Sequence, residues 1–428
     1  MTTAAISMPA PRAAATIERT ALVLLCGVVA ALQWFSALAY ILLGAMFVAW
    51  AAMRVQERTW PAAPAFVIPL VGYAVLTLVS SLFSVDPAES FIDSKQLVLL
   101  AMVPAVYDIA RGQRAGAVVD VVISIGAATA VYGIIQYGLL HYDNLGQRPQ
   151  GTLSHYMTYS GVVMLVLGAA ASRVIFGTHE RAWPALIMPA LVVALVLTFT
   201  RNAWIGACVA VGLLLVLKDF RLTALLPVVV AVLFVMAPDS FTSRLTSTFN
   251  AQDPANQDRF AMIEVGARMV ADDPLTGVGP NMVERVYEQY RPDYAINQVN
   301  PHLHNVPLQI AAERGLPALA AWGWFVVALT AALFRMFRSS TAAGTTKDST
   351  ATNGTYDRQD IRDRRDRRGS HQHQRMLAAM ALASTAGMVA AGLFEYNFGD
   401  SEFLMLFLVL ITLPFAAARQ DDAAVARA

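Results

Sequence analysis

Residues 300–334 read NPHLHNVPLQIAAERGLPALAAWGWFVVALTAALF, with two histidines directly before a long apolar run. The run from Val306 to Phe334 is long enough to cross a bilayer as helix, which takes about 20 predominantly apolar residues. Asn305 offers a side-chain oxygen to cap that helix, and Pro307 suits its first turn, where no N–H partner is needed and φ is already helical. His304 then lies at the positive end of a helix dipole. That position disfavours an imidazolium, so the ring is expected to be mostly neutral near pH 7. A neutral imidazole can accept a proton, as a general base must. A histidine there can also serve only as a cap or a water ligand at a membrane surface, and the local residues leave both readings open.

The rest of the chain has the same texture. Of 428 residues, 57% are hydrophobic and 14% charged, and apolar stretches near spanning length recur. This is the composition of an all-α polytopic membrane protein. The formal net charge of +1 points to no nucleic-acid partner, because charges in such a chain are sorted by side of the membrane. Cys26 and Cys208 both fall in apolar runs and suggest neither a disulfide nor a thiolate metal site. The apolar run from Ala21 has no small-residue cleavage site and leads into further spans, so it is expected to be a retained first helix.

Spans are expected near residues 21–32, 36–53, 61–83, 96–109, 115–140, 159–176, 183–200, 203–217, 223–237, 306–334, 376–394 and 402–416. That makes about twelve transmembrane helices, divided into a nine-helix bundle (1–237), a large outward loop (238–305), one further helix (306–336), a flexible basic loop (337–375) and two last helices with a short tail (376–428). Twenty-two of the 31 lysines and arginines then fall on the side of the termini, which the positive-inside rule makes cytoplasmic.

The two long loops differ. Residues 339–374 join a Ser/Thr/Gly/Ala stretch to the mixed-charge run Arg362 to Arg368, which cannot build a core and is expected to be flexible and to meet anionic head groups. His371 and His373 close it and are expected to be solvated. The outward loop has apolar residues at helical spacing (Phe260, Ile263, Val265, Met269), a turn at Asp273 to Pro280, and a second amphipathic segment from Met282 to Tyr290. A folded helical cap is expected there. Gly277-Val278-Gly279 is read as a structural turn, since it lacks the preceding strand and the remaining glycine of a dinucleotide fingerprint.

Outward polar residues cluster at span ends. Arg201 directly follows an apolar run, where an ionisable group is costly unless paired or functional. Arg148 lies in a short loop beside Gly151 with His141 and His155 nearby, Arg259 opens the first cap helix, and Glu395, Asn397, Asp400 and Glu402 form the last outward turn. Singly, each arginine can be a snorkelling or solvated residue. Jointly, several arginines are expected to share one mouth with His304 and no comparable set of carboxylates. Guanidinium forks suit phosphate oxygens. On the outer leaflet, without ATP, the reactive anion they suit is a lipid-linked diphosphate, with the arginines steadying the departing phosphates and His304 taking the proton of the attacking hydroxyl.

Taken in order, Arg148-Pro149-Gln150-Gly151, Thr200-Arg201-Asn202-Ala203-Trp204, Asp258-Arg259-Phe260, Pro274 to Gly279, His304 to Gln309, Glu313 to Pro317 and Phe394 to Asn397 resemble the O-antigen ligase and polymerase superfamily of bacterial inner-membrane glycosyltransferases. The resemblance implies a GT-C-like enzyme of the Gram-negative inner membrane, with a helical periplasmic loop, independent of metal, nucleotide or other cofactor. Its donor would be glycan on undecaprenyl diphosphate and its active site would face the periplasm. In the ligase branch the acceptor is a sugar hydroxyl of lipid A–core. By motif position, Arg201 and Arg259 would hold the diphosphate and His304 would be catalytic. Arg148, His302, Arg285 and Arg291 are expected to contact substrate. Thr200 stands where Ser is more usual in such motifs, and His302 leaves open which ring acts; His304 is favoured because it adjoins the capping Asn305. An O-antigen polymerase or protein O-oligosaccharyltransferase shares these motifs. A transporter or flippase for a lipid-linked anion, the reading from another class, expects charges near the midplane and an internal repeat.

Overall fold

The computed structural model describes residues 11–144, 146–177, 181–225, 252–345 and 358–419, with isolated positions between 226 and 251. Among the described residues the elements are helical, with no strand. The first half comprises α1 (Pro11–Ala31), α2 (Ser36–Glu57), α3 (Val67–Leu82), α4 (Pro87–Asp93), α5 (Met102–Ile109), α6 (Arg114–Gly138), α7 (Tyr156–Phe176), α8 (Ala182–Leu197) and α9 (Arg201–Lys218). The second comprises α10 (Pro254–Asp272), α11 (Val283–Tyr290), α12 (Val306–Thr345), α13 (Arg358–Gly392) and α14 (Ser401–Ala417).

Six helices are long and apolar enough to cross a membrane: α2, α6, α7, α9, and the segments Val306–Thr341 of α12 and Gly369–Gly392 of α13. The helices α3, α8 and α14 are apolar but shorter. The chain therefore has the helices of a multi-pass membrane protein. The span expected at 96–109 is divided between a 3-10 segment, Ser94–Ala101, and the eight-residue α5. The span expected at 223–237 lies largely outside the described residues.

One expectation is corrected. The charged run Arg362 to Arg368 belongs to helix α13, which begins at Arg358, where a flexible loop was expected to continue to residue 375. Asp360 and Arg364, and Asp363 and Arg367, stand four apart with the acid first, a spacing that favours helix without requiring a core.

The centre of the bundle is α14. It is apolar on every side, and its residues from Phe403 to Leu413 are essentially inaccessible. A helix without a polar face must be surrounded, and α5, α7 and α13 pack around it. The helices α9 and α13 approach closely at Gly206 and Gly387: a Cβ on Gly206 would lie 2.9 Å from the Gly387 carbonyl oxygen. Small residues permit that spacing between apolar helices. The contact fixes the start of α9 relative to the turn that follows α13.

Basic residues gather at the end of the bundle away from the cap. Asp108 is buried there, accepts from Trp50 Nε1 at 3.0 Å and Arg419 at 2.6 Å, and lies within 4 Å of Arg54 and Arg111.

At the other end α10 and α11 form the expected cap around Met262, Val265, Met269, Val283, Val286 and Tyr287. Its turn is pinned to a break in α12. At Gly315 the backbone leaves the helix with φ +79, a left-handed value that strains a residue with a side chain, and a Cβ there would meet the Leu275 carbonyl oxygen at 2.2 Å. The amides of Val278 and Gly279 donate to Ala312 and Glu313 carbonyls at 2.9 Å, and Leu316 N donates to Pro274 O at 2.8 Å. The glycine turn read from the sequence thus supplies the N–H groups that the broken helix lacks.

Candidate active site

The cap and the bundle enclose the segment 300–305. Asn305 caps α12 as its sequence position implies, accepting from Leu308 N at 2.9 Å, and its Nδ2 donates to Leu393 O at 2.9 Å. The buried Gln309 side chain accepts from Leu303 N at 2.6 Å. These bonds bracket His304, which adopts φ +50. A non-glycine residue in that region costs on the order of 1–3 kcal/mol and persists only where its neighbours hold it.

That backbone turns both histidines onto one carboxylate. His304 Nδ1 lies 3.0 Å from Glu395 Oε2 and 3.2 Å from Oε1, and His302 Nε2 lies 3.0 Å from Oε1. Neutral His304 donating through Nδ1 keeps its lone pair on Nε2, free to accept a proton.

The electrostatics differ from the sequence expectation. Burial works against an imidazolium at His304, but the hydrogen bond and charge of Glu395 outweigh it and raise the pKa above the ordinary 6.5. A helix terminus contributes at most about 2 kcal/mol, whereas a full opposite charge at contact contributes on the order of 4 kcal/mol at an intermediate dielectric. Glu395 itself is buried, which opposes its charge, yet the two histidines hold its pKa well below the ordinary carboxylate value. The ring remains a base, and a stronger one than the dipole alone would leave.

His304 lines a cavity of about 360 Å³ together with Arg201, Asn202, Asn256, Arg259 and the apolar Ile205, Phe260, Ile263, Leu303, Leu393 and Phe394. The first residue of α9 is Arg201, 5% exposed, with one guanidinium nitrogen 3.1 Å from Asn256 Oδ1 and another 3.5 Å from Asp253 Oδ1. Its Nε is buried without a partner. Among the described residues Arg259 forms no hydrogen bond or ion pair. Burial lowers its pKa, Glu395 opposes that change and Arg201 adds to it. Two guanidiniums with unspent donors beside helix N-termini are groups of the kind that can receive an anion.

The expectation of a mouth without comparable carboxylates is overturned by Glu395, Asp253 and Asp400. A second cavity, of about 260 Å³, lies on the His302 side and is lined by His155, Thr158, His302, Glu395, Asn397 and Asp400 among others; Asn202 borders both cavities. Asp400 caps α14 through Phe403 N at 2.9 Å and accepts the Thr158 hydroxyl, while burial pushes its pKa up to about 6. Burial lowers the pKa of His155, with Glu395 opposing.

The other sequence candidates are dispersed. Arg148 stacks on the Tyr156 ring at 4.3 Å and lies near enough to Arg201 to feel its charge. Arg285 pairs with Asp86 at 2.6 Å on the outside of the cap, and Arg291 follows the end of α11. Neither Arg285 nor Arg291 lines either of the two cavities. His302, His304 and Glu395 could in principle hold a metal, since their ligand atoms all lie within 4.8 Å of one another. Glu395 is recognisable in sequence as part of the last outward turn, but its partners are not, because nothing local links positions 91 residues apart.

Residues 186–323 match a family model described as O-Antigen ligase. The match runs from α8 through the cap into α12, takes in Arg201, Arg259, His302 and His304, and ends before Glu395. No curated protein matches the chain.

Proposed function

From this chain's membership of the O-antigen ligase superfamily, we propose that it is an O-antigen ligase that transfers glycan from undecaprenyl diphosphate to a sugar hydroxyl of lipid A–core at the periplasmic face of the Gram-negative inner membrane. The observation that carries the reading is the single cavity in which Arg201, Arg259 and His304 meet apolar walls. Arg201 and Arg259 bind the diphosphate through donors that otherwise go unused, and Ile205, Phe260, Ile263 and Phe394 accept the adjoining polyprenyl chain. His304, held by Glu395, takes the proton of the attacking hydroxyl through Nε2. The bond from the anomeric carbon to the diphosphate oxygen breaks as the new glycosidic bond forms, and the electron pair leaves with the diphosphate. The arginines stabilise that charge where it develops.

Transport is less well supported, because Arg201, Arg259 and His304 gather at one end of the bundle beside the cap. Purified protein given lipid-diphosphate glycan and lipid A–core in detergent, without a gradient, tests the reading. Glycan on the core is the expected product. Elongated glycan still on its carrier would indicate a polymerase, and no transfer of either kind would contradict the enzymatic reading.

A further inference from the structure

The two cavities carry opposite hydrogen-bonding deficits. In the first, the unspent groups are donors: Arg201 Nε is buried without a partner and Arg259 has none among the described residues. In the second, they are acceptors. Asn397 is 7% exposed; its Nδ2 donates to Met388 O at 3.2 Å, while its Oδ1 is buried with no donor. Beside it stand the carboxylates of Glu395 and Asp400, each already holding some partners and each retaining lone pairs.

A buried acceptor left without a donor is unfavourable, so its ligand should bring O–H or N–H groups. Two carboxylates also make this cavity unsuitable for a second diphosphate. A sugar meets both demands, since each hydroxyl donates to one group and accepts from another, and Tyr396 and Phe403 offer its ring apolar faces.

We propose that the second cavity binds the acceptor sugar, with Asp400, Asn397 and His155 recognising its hydroxyls and presenting one of them past Asn202 to the donor. The inference rests on the transferase reading and divides the substrates between the cavities. In that arrangement the His302–Glu395–His304 contact forms the wall between them, and the attacking oxygen crosses beside it. His302 is then a positioning residue that fixes Glu395 from the acceptor side.

The test uses full-length protein carrying Asp400→Asn or His155→Asn. Asn keeps a side-chain oxygen for the helix caps that Asp400 and His155 provide. Steady-state transfer should show the KM for lipid A–core raised about tenfold or more, with the affinity for a short polyprenyl diphosphate changed less than about twofold. An unchanged acceptor KM, or a loss of diphosphate affinity instead, would overturn the assignment. Binding of free core oligosaccharide without donor separates this proposal from the reaction itself. Wild-type protein and Arg259→Lys should bind it alike, and Asp400→Asn should bind about tenfold more weakly. No binding by wild type, or equal binding by Asp400→Asn, would remove the acceptor site, whereas oligosaccharide binding without transfer would leave it and reject only the reaction.

Discussion

His304 Nδ1 and Glu395 Oε2 are 3.0 Å apart across 91 residues of sequence, and that contact sets both the orientation of the imidazole and its basicity. A base works when deprotonated, so kcat/KM should rise with pH through the His304 pKa. Glu395 raises that pKa, which centres the rise above 6.5 and makes activity fall as pH drops below it. In Glu395→Gln the raising influence is lost while burial and Arg259 still lower the pKa. The acidic limb should move to lower pH and the plateau rate should fall roughly 10- to 100-fold. A pH profile of the purified variant checks both; an unshifted limb would separate His304 from the titrating step.

Arg201 and Arg285 make a contrasting pair. Arg201→Lys keeps the charge but loses the planar fork and its simultaneous contacts with Asn256 and Asp253, so affinity for a polyprenyl diphosphate should fall about tenfold or more. The Arg285 side chain is 57% exposed beside Asp86, where solvent screens the pair and leaves it little net effect. Arg285→Ala should leave transfer within about twofold of wild type. Titration of both variants with a fluorescent polyprenyl diphosphate distinguishes them.

The triangle of His302, His304 and Glu395 predicts a response to metal. If His304 acts as a proton acceptor, a chelator should leave transfer within about twofold of its starting rate, while added Zn²⁺ should inhibit by occupying the imidazole. Inhibition should weaken in His302→Ala, which removes one ligand. Loss of transfer on chelation, restored by a divalent cation, would replace the base mechanism with a metal-assisted one.

Gly315→Ala should destabilise the junction between cap and bundle by on the order of 2 kcal/mol or more, since both φ +79 and the Leu275 carbonyl oppose a side chain. Thermal unfolding in detergent should register a lower midpoint. Gly323→Ala, in the same helix with open space around its Cβ position, is the matched control.

Much of this architecture was legible where its causes are local. Asn305 and Pro307 announced the start of α12, and Val265 and Met269 announced the buried face of α10. Phe260 and Ile263 continued the same apolar spacing, yet both are more than half exposed and line the cavity, because periodicity cannot tell a core from a lipid-sized groove. The arginines were recognisable as costly at an apolar boundary. The partners Asp253 and Asn256 for Arg201, and Glu395 for His304, were not, since they depend on how distant segments meet. The direction of the His304 pKa shift was hidden for the same reason: the dipole is local and weak, and the carboxylate is remote in sequence and strong.

The most direct measurement of the central claim is single-turnover glycan transfer by purified His304→Ala, alongside its affinity for a polyprenyl diphosphate. Retained diphosphate affinity with transfer lost is the result expected if Arg201 and Arg259 hold the donor and His304 takes the proton. Transfer at a near wild-type rate would contradict that division of roles.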